Sequence, residues 1–133
     1  MHTINKETNI HNIRDMLIEC KYDCKEVEDN AVIFELNGLR ARVSMTSGKN
    51  LMFMILLNIK KDIPEIDILR KVNEVNYNII SGNFSYFEDY LLYCFSLIRP
   101  YGMGQKGFGA FVDYHFQLLP FTIENSNLNE ITV

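Results

Sequence analysis

The sequence predicts a single α+β domain with the element order α-β-β-β-α-β-β-α, in which helices pack on one antiparallel five-stranded sheet. Three observations support this class. Apolar residues recur at helical spacing in three separate segments, and they alternate with polar residues in several others. An Asn37-Gly38 pair also stands between two alternating runs, which is a typical β-hairpin signal. We therefore expect helices before, between and after the strands.

The composition fits one globular domain. The chain has 133 residues, 47% of them hydrophobic, and carries 17 Asp and Glu against 13 Lys and Arg, a net charge of −4. A chain of this length can bury about two thirds of its unfolded surface, which excludes wholesale disorder. The acidic balance offers no footprint for nucleic acid, whose binding needs clustered Lys and Arg. We expect one domain over residues 1–122 and a polar tail over residues 123–133.

The first helix is predicted from Ile10 to about Tyr22. Thr8 or Asn9 can cap it, because a side-chain oxygen at this position accepts from the free N–H groups of the first turn. Its apolar positions lie three or four residues apart, as on one helix face: Ile10, Ile13, Met16, Leu17 and Cys20. The charged stretch 25–30 separates this helix from the first predicted strand.

Two alternating runs form the first predicted hairpin. Residues 32–36 lead into Asn37-Gly38, and residues 39–45 alternate apolar side chains with Arg40, Arg42 and Ser44. A type I′ turn needs positive φ at both central residues, which asparagine and glycine tolerate best. The chain is therefore expected to reverse at this pair.

The next strand, residues 51–59, follows a turn at residues 47–50 and is apolar on both faces. One face carries five apolar residues and the other three: Leu51, Phe53, Ile55, Leu57 and Ile59 against Met52, Met54 and Leu56. Such a strand either lies mid-sheet with cover on each side or offers one face to a partner.

A second helix and a second hairpin follow. Asp62 can cap the helix with Pro64 in its first turn, and residues 81–83 end it. Residues 84–87 and 91–98 then supply the fourth and fifth strands. The apolar residues that define the helix are Ile68, Val72, Val75 and Ile79.

The last helix is predicted to run from about Phe108 to Pro120. Its apolar residues recur at helical spacing after a glycine-rich turn, and proline then ends the pattern because it lacks the N–H group of a helix interior. Residues 124–133 are polar and are expected to fray.

Several features favour a cytoplasmic protein. Residues 1–12 are polar and lack the apolar core of a signal peptide. The longest apolar run, residues 51–57, is far short of the roughly 20 residues of a transmembrane helix. Cys20, Cys24 and Cys94 make an odd count, which suits reduced thiols. We therefore expect no membrane association and no disulfide.

The element order resembles the YbjN family of proposed bacterial sensory transduction regulators, whose fold is similar to that of the type III secretion chaperones. The likeness covers most of the chain. It is carried by Ile13-x-x-x-Leu17 followed by Tyr22, by the three-strand meander through Asn37-Gly38, and by residues 72–76 before Asn83-Phe84. The resemblance implies a non-catalytic protein-binding or chaperone-like module, often a homodimer, and transfers no catalytic residues. The glycine-rich stretch 102–109 departs from the family pattern.

That stretch matches a nucleotide-binding pattern. Gly102, Gly104 and Gly107 spell G-x-G-x-x-G between a predicted strand and a predicted helix, and Lys106 lies among them. The pattern works inside a parallel βαβ unit, whereas the strand before it here belongs to a hairpin. Loop flexibility is the favoured interpretation. The alternative is a small anionic ligand-binding or enzymatic domain whose loop 102–109 closes over the ligand with its backbone N–H groups.

Metal and catalytic sites have weaker support. Cys20 and Cys24 lie four residues apart and could hold a soft metal with His11 or Cys94, but this spacing matches no standard ligand pair. His115 lies among apolar positions, where a partly buried histidine is the usual outcome. No serine, histidine and acid form a recognised nucleophile motif. The sequence therefore predicts no metal, no cofactor and no catalytic residues.

The apolar surplus of the sheet is the more informative feature. A second apolar sheet face would form unless helices cover it, and methionine suits such a face to varied partners because its side chain adapts its shape. Its members are Met52, Met54, Leu56, Leu92, Cys94 and Ile98. Burial in the core or in a dimer is the favoured interpretation and a free binding groove is the alternative. In either case we expect a protein partner and a homodimer, with no nucleic acid.

Overall fold

The computed structural model describes residues 2–133; Met1, the first residue of the predicted domain, lies outside them. The helices are α1 (Ile10–Glu19), α2 (Glu65–Asn78) and α3 (Gln105–Asn125), and the strands are β1 (Asp23–Glu28), β2 (Ala31–Leu36), β3 (Leu39–Met45), β4 (Leu51–Asn58), β5 (Asn83–Phe87) and β6 (Tyr90–Leu97). The strands form one antiparallel sheet in the order β1-β2-β3-β4-β6-β5. The predicted α+β class and single antiparallel sheet are confirmed, but the sheet has six strands and not five.

The strand that the sequence prediction missed is β1. It pairs with β2 from Asp23 opposite Glu35 to Glu28 opposite Ala31, with a bulge between Cys24 and Glu26. Four of its six residues are charged and most of its side chains are exposed. Charged edge strands are common because charge discourages pairing with another chain. The same charges remove the apolar alternation by which a strand is recognised.

The first helix begins where the sequence predicts and ends earlier. The Asn9 side chain accepts from the backbone N–H of Asn12 at 3.1 Å, and the Asn12 side chain accepts from that of Asn9 at 2.8 Å, so two free donors are satisfied reciprocally. The helix ends at Glu19. Two residues later, Lys21 has a φ of +73°, a left-handed conformation that cannot continue the helix. Tyr22, predicted to be the last helical residue, instead lies buried in the core.

The predicted hairpins are confirmed. Asn37 and Gly38 have φ values of +52° and +80°, as a type I′ turn requires, and Leu36 pairs with Leu39 across it. The second hairpin turns at Glu88, whose φ is +55°, and pairs Phe87 with Tyr90. Both turns depend on residues close in sequence, which is why their positions could be predicted.

The cap predicted for the second helix is wrong. Pro64 is the N-cap residue of α2, and Asp62 lies outside the helix in a left-handed conformation with a φ of +65°. No side chain caps this end. The helix stops at Asn78 because Ile79 is extended, so Ile79 does not extend the buried helical stripe.

The last helix is longer than predicted at both ends. It includes Gly107, Gly109 and Pro120, so the prediction that Pro120 ends it is wrong. Proline removes one backbone hydrogen bond, but the buried residues Phe116, Leu119 and Thr122 on either side keep the helix packed on the core. A side chain at Gly109 would place a Cβ atom 2.9 Å from the sulfur of Cys20, the residue that follows α1. This glycine therefore permits close helix packing.

The polar tail does not fray. Leu128 and Ile131 are buried in the core, Ile59 forms a bridge with Thr132, and the N–H of Lys60 donates to the Ile131 carbonyl at 2.8 Å. The predicted boundary between residues 122 and 123 falls inside α3. Two buried apolar residues within a polar segment give too little periodicity to reveal such docking from the sequence.

The helices all pack on one face of the sheet. Their buried residues form one cluster with alternate residues of β2, β3, β4 and β6. At its centre the rings of Phe53 and Phe95 stack 4.8 Å apart, and Phe34 and Phe108 lie next to Phe53. The opposite face of the sheet carries the other half of each alternating strand. Within the described part of the chain, no helix is both long enough and apolar enough to span a membrane.

Candidate functional site

The sheet surface opposite the helices, called the open face below, is not covered by any element of residues 2–133. Strand register brings its side chains together: Arg42, Met54 and Cys94 are neighbours across β3, β4 and β6, and Leu56 lies opposite Leu92. Met52 is 49% exposed, whereas Met54, Leu56, Leu92 and Cys94 are half-buried by one another. Burial beneath helices of the same chain is therefore the wrong interpretation for this face.

The structure brings together four of the five residues predicted for a partner or dimer surface. Met52, Met54, Leu56 and Leu92 are adjacent in two paired strands. Ile98 follows the last residue of β6 and is 75% exposed, so it lies at the margin of the open face. The alternation in the sequence was sufficient to select these residues.

A shallow cleft of about 240 Å³ lies in the open face. It is apolar on the side of β4 and β6, and it has a basic wall on β3 made of two arginines. The residues that line it include Ile33, Arg40, Arg42, Met54, Leu56 and Leu92. Sequence reasoning identified Met54, Leu56 and Leu92 but assigned neither Ile33 nor the two arginines to the site. Only the register of β3 against β4 places Arg42 beside Met54.

The two arginines differ in their partners. The Arg42 guanidinium lies 3.4 Å from the Glu28 carboxylate on β1, and both side chains are nearly half-exposed. Arg40 lies opposite Glu35 in the β2–β3 ladder but forms no salt bridge with any carboxylate of residues 2–133. Arg40 is therefore the cation of the cleft that is available to a ligand.

A second exposed apolar surface, missed by the sequence reasoning, lies on α2. Ile66, Leu69 and Tyr77 belong to α2 and Ile80 follows its end; all four are at least 45% exposed. A groove of about 240 Å³ between α2 and α3 lies beside Ile80 and Phe121. These residues were visible in the sequence as apolar positions outside the buried stripe. The stripe of Ile68, Val72 and Val75 was sufficient to predict the helix, so the other apolar positions were not considered.

The glycine-rich segment uses its backbone donors within the chain. The N–H of Gly102 donates to the Ile4 carbonyl at 2.6 Å, and that of Gln105 donates to the His2 carbonyl at 2.9 Å. Gly107 belongs to α3 and Lys106 is exposed in its first turn. Because the N-terminal segment occupies these donors, the predicted loop is a docked turn and a helix start, with two fewer N–H groups to offer an anion.

The cysteines are spread over two parts of the fold. Cys20 receives a hydrogen bond from the Gln105 side chain at 3.1 Å, Cys24 donates to the Arg14 carbonyl at 3.8 Å, and Cys94 lies on the open face. Burial raises the pKa of all three thiols, which favours the neutral thiol. Among residues 2–133 no three His, Cys, Asp or Glu side chains converge on a possible metal position.

His115 is a buried ionisable side chain beside the sheet, at 3% exposure. Its ring stacks on Phe95 at 4.1 Å, Nδ1 lies 2.9 Å from the Phe111 carbonyl oxygen, and Nε2 lies 2.9 Å from the Ser81 hydroxyl. A carbonyl only accepts, so Nδ1 carries the proton and Nε2 accepts from Ser81. This pair joins the segment before β5 to α3, and its burial gives it a structural role.

We predict that acid destabilises the protein through His115. Burial lowers the pKa of His115, and the bond to Phe111 opposes this only in part. Below a pH of about 6.5 the His115 side chain is protonated in the unfolded chain but stays neutral in the folded protein. Because the unfolded state then binds more protons, the free energy of unfolding falls as the pH drops through this value. A single proton accounts for at most about 1.4 kcal/mol per pH unit.

Urea unfolding of the wild type and the His115→Gln variant at about pH 7.5 and about pH 5.5 measures this effect. Glutamine keeps hydrogen-bonding capacity without titrating. The stability advantage of the wild type is expected to shrink at the lower pH. An advantage of equal size at both pH values would show that His115 titrates normally in the folded protein.

Comparison with known proteins supports the fold. No family model matches the sequence, and no curated protein matches it. Among solved structures, the crystal structure of YbjN, a candidate transcription regulator from E. coli, superimposes with a TM-score of 0.74 over 99% of both chains. The two sequences are 14% identical. The chain therefore has the YbjN fold, as the sequence resemblance predicted. Because unrelated functions share folds, the function has to be argued from the residues of the site.

Proposed function

We propose that this chain is a non-catalytic protein-binding module, chaperone-like or regulatory, that holds a segment of a partner protein on the open face. The observation that carries the proposal is a methionine-rich sheet face that no part of the described chain covers. Contiguous apolar surface of this kind is typical of interaction sites. Met52 and Met54 also allow the surface to adapt to different side chains.

The basic wall of the cleft favours a partner segment over a second copy. A two-fold dimer places the same patch on both subunits, so an axis through the cleft would bring Arg40 and Arg42 of one copy towards those of the other. Like charges brought together in a partly desolvated interface oppose association. A different protein can place carboxylates there instead.

The test compares partner binding by the wild type with binding by a Met52→Glu/Met54→Glu variant. A partner recovered from the native host is identified, purified and titrated against each protein. We expect binding to weaken by about 100-fold, because the variant places unpaired charge in an apolar interface. The matched control is Tyr77→Glu, which adds charge at an exposed position of α2 and should bind as the wild type does.

Three other outcomes would change the assignment. Unaltered binding by the soluble double variant would overturn the open face as the site. Loss of binding by Tyr77→Glu alone would move the site to α2. Light scattering on the same samples measures the expected homodimer, and a dimer that separates only in the double variant would make a second copy the occupant.

A further inference from the structure

We infer that the open face recognises an amphipathic helix in which an apolar, an acidic and a basic residue follow one another along one side. This inference rests on the proposed function and specifies the chemistry of the partner. It is argued from charge complementarity. From one strand to the next, the open face presents apolar, then basic, then acidic side chains, and a partner must match that order.

The size of the cleft indicates a side chain as its ligand. Its volume of about 240 Å³ lies below the roughly 300–1,000 Å³ of pockets that enclose drug-sized molecules. Its floor of Met54, Leu56 and Leu92 is apolar. One large apolar side chain of a partner, held between the methionine and the two leucines, fits this description.

Charge changes sign once across the face, from basic to acidic. Beyond the apolar β4 and β6, β3 contributes Arg40 and Arg42, and β2 and β1 contribute Glu35 and Glu28. Arg42 is already paired with Glu28, whereas Arg40 forms no salt bridge within residues 2–133. A complementary segment therefore has an acidic residue above Arg40, next to its apolar anchor, and a basic residue above Glu35.

A helix suits a sheet face better than an extended segment does. An extended segment lying on the face would leave its own N–H and C=O groups unpaired, because the sheet offers backbone partners only at its edges, whereas a helix satisfies its own. Neighbouring strands are about 4.8 Å apart and a helix rises about 1.5 Å per residue. A helix crossing the strands thus places residues i, i+3 and i+7 above β4, β3 and β2.

Two synthetic helical peptides of identical composition test the order. One repeats Leu-x-x-Glu-x-x-x-Lys with alanine at the remaining positions, and the other exchanges the glutamate and the lysine. Fluorescence anisotropy is expected to give at least a 10-fold tighter dissociation constant for the first peptide. The preference should be lost in the Arg40→Glu variant, in which positions 40 and 35 are both acidic, and should reverse in the Glu35→Arg/Arg40→Glu variant. A Lys61→Glu variant, which changes an exposed lysine beyond β4, should keep it.

Alkylation of Cys94 locates the bound peptide. Cys94 lies beside Met54 on the open face, whereas Cys20 and Cys24 belong to the α1 side of the sheet. The first peptide should slow modification of Cys94 and leave the other two thiols unchanged. Slower modification of Cys20 or Cys24 without any effect at Cys94 would place the peptide elsewhere and overturn the inference.

The remaining outcomes separate this inference from the proposed function. Equal affinity of both peptides, with equal protection of Cys94, would overturn the charge order and leave an apolar protein-binding face. Failure of both peptides to bind would overturn the helix inference. The proposed function would still stand in that case if the purified partner lost affinity for the Met52→Glu/Met54→Glu variant.

Discussion

Replacing Gly82 with alanine is expected to lower the free energy of unfolding by about 2 to 5 kcal/mol. Gly82 has a φ of +84°, a left-handed conformation that costs other residues about 1–2 kcal/mol. A Cβ atom at this position would also lie 2.7 Å from the Tyr93 ring and 2.8 Å from the backbone carbonyl oxygen of Cys94. The carbonyl belongs to β6, which is paired on both sides and cannot rotate away, so β5 or the loop before it must shift.

Gly38→Ala is the matched control for this prediction. Gly38 has a φ of +80° but nothing lies within 4 Å of the added Cβ atom, so alanine there has the cost of the left-handed conformation without a steric clash. We expect it to lose only about 1–2 kcal/mol in urea unfolding. Equal losses in the two variants would show that β5 accommodates the methyl group. The Gly82 variant should also weaken the bond from the Tyr93 hydroxyl to the Ser81 carbonyl, which is 2.7 Å long.

Phe53→Ala is expected to lower the free energy of unfolding by about 3 to 5 kcal/mol. Phe53 is fully buried, and its ring lies next to aromatic rings from β2, β6 and α3: Phe34, Phe95, Phe108 and Phe111. Removing the ring leaves a cavity at the centre of the core, because the surrounding strands are held in register and collapse only partly. Thermal or urea unfolding measures the loss.

Met52→Ala provides the comparison on the same strand. Met52 points to the open face and is 49% exposed, so its truncation should change stability by less than about 1 kcal/mol. The two variants thus separate the core side of β4 from the side proposed for binding. A loss at Met52 as large as that at Phe53 would mean that the open face is buried in solution, for example by a second copy.

Local signals in the sequence accounted for much of the fold. The cap at Asn9, the Asn37-Gly38 turn and the alternation of β3, β4 and β6 each depend on residues within a few positions of one another. Side-chain geometry decides such features before any tertiary contact forms. The strand β1, the docked tail and the continuation of α3 through Pro120 depend instead on distant packing, so local patterns could not reveal them.

The candidate site divides in the same way. The sequence by itself determined that β4 and β6 carry apolar residues on both faces, because alternate side chains of a strand point in opposite directions. Only the tertiary structure decided that one of those faces stays open, because all the helices pack on the other one. The basic wall was likewise decided there, since the pairing register of β3 with β4 places Arg42 beside Met54, and register is a property of two strands together.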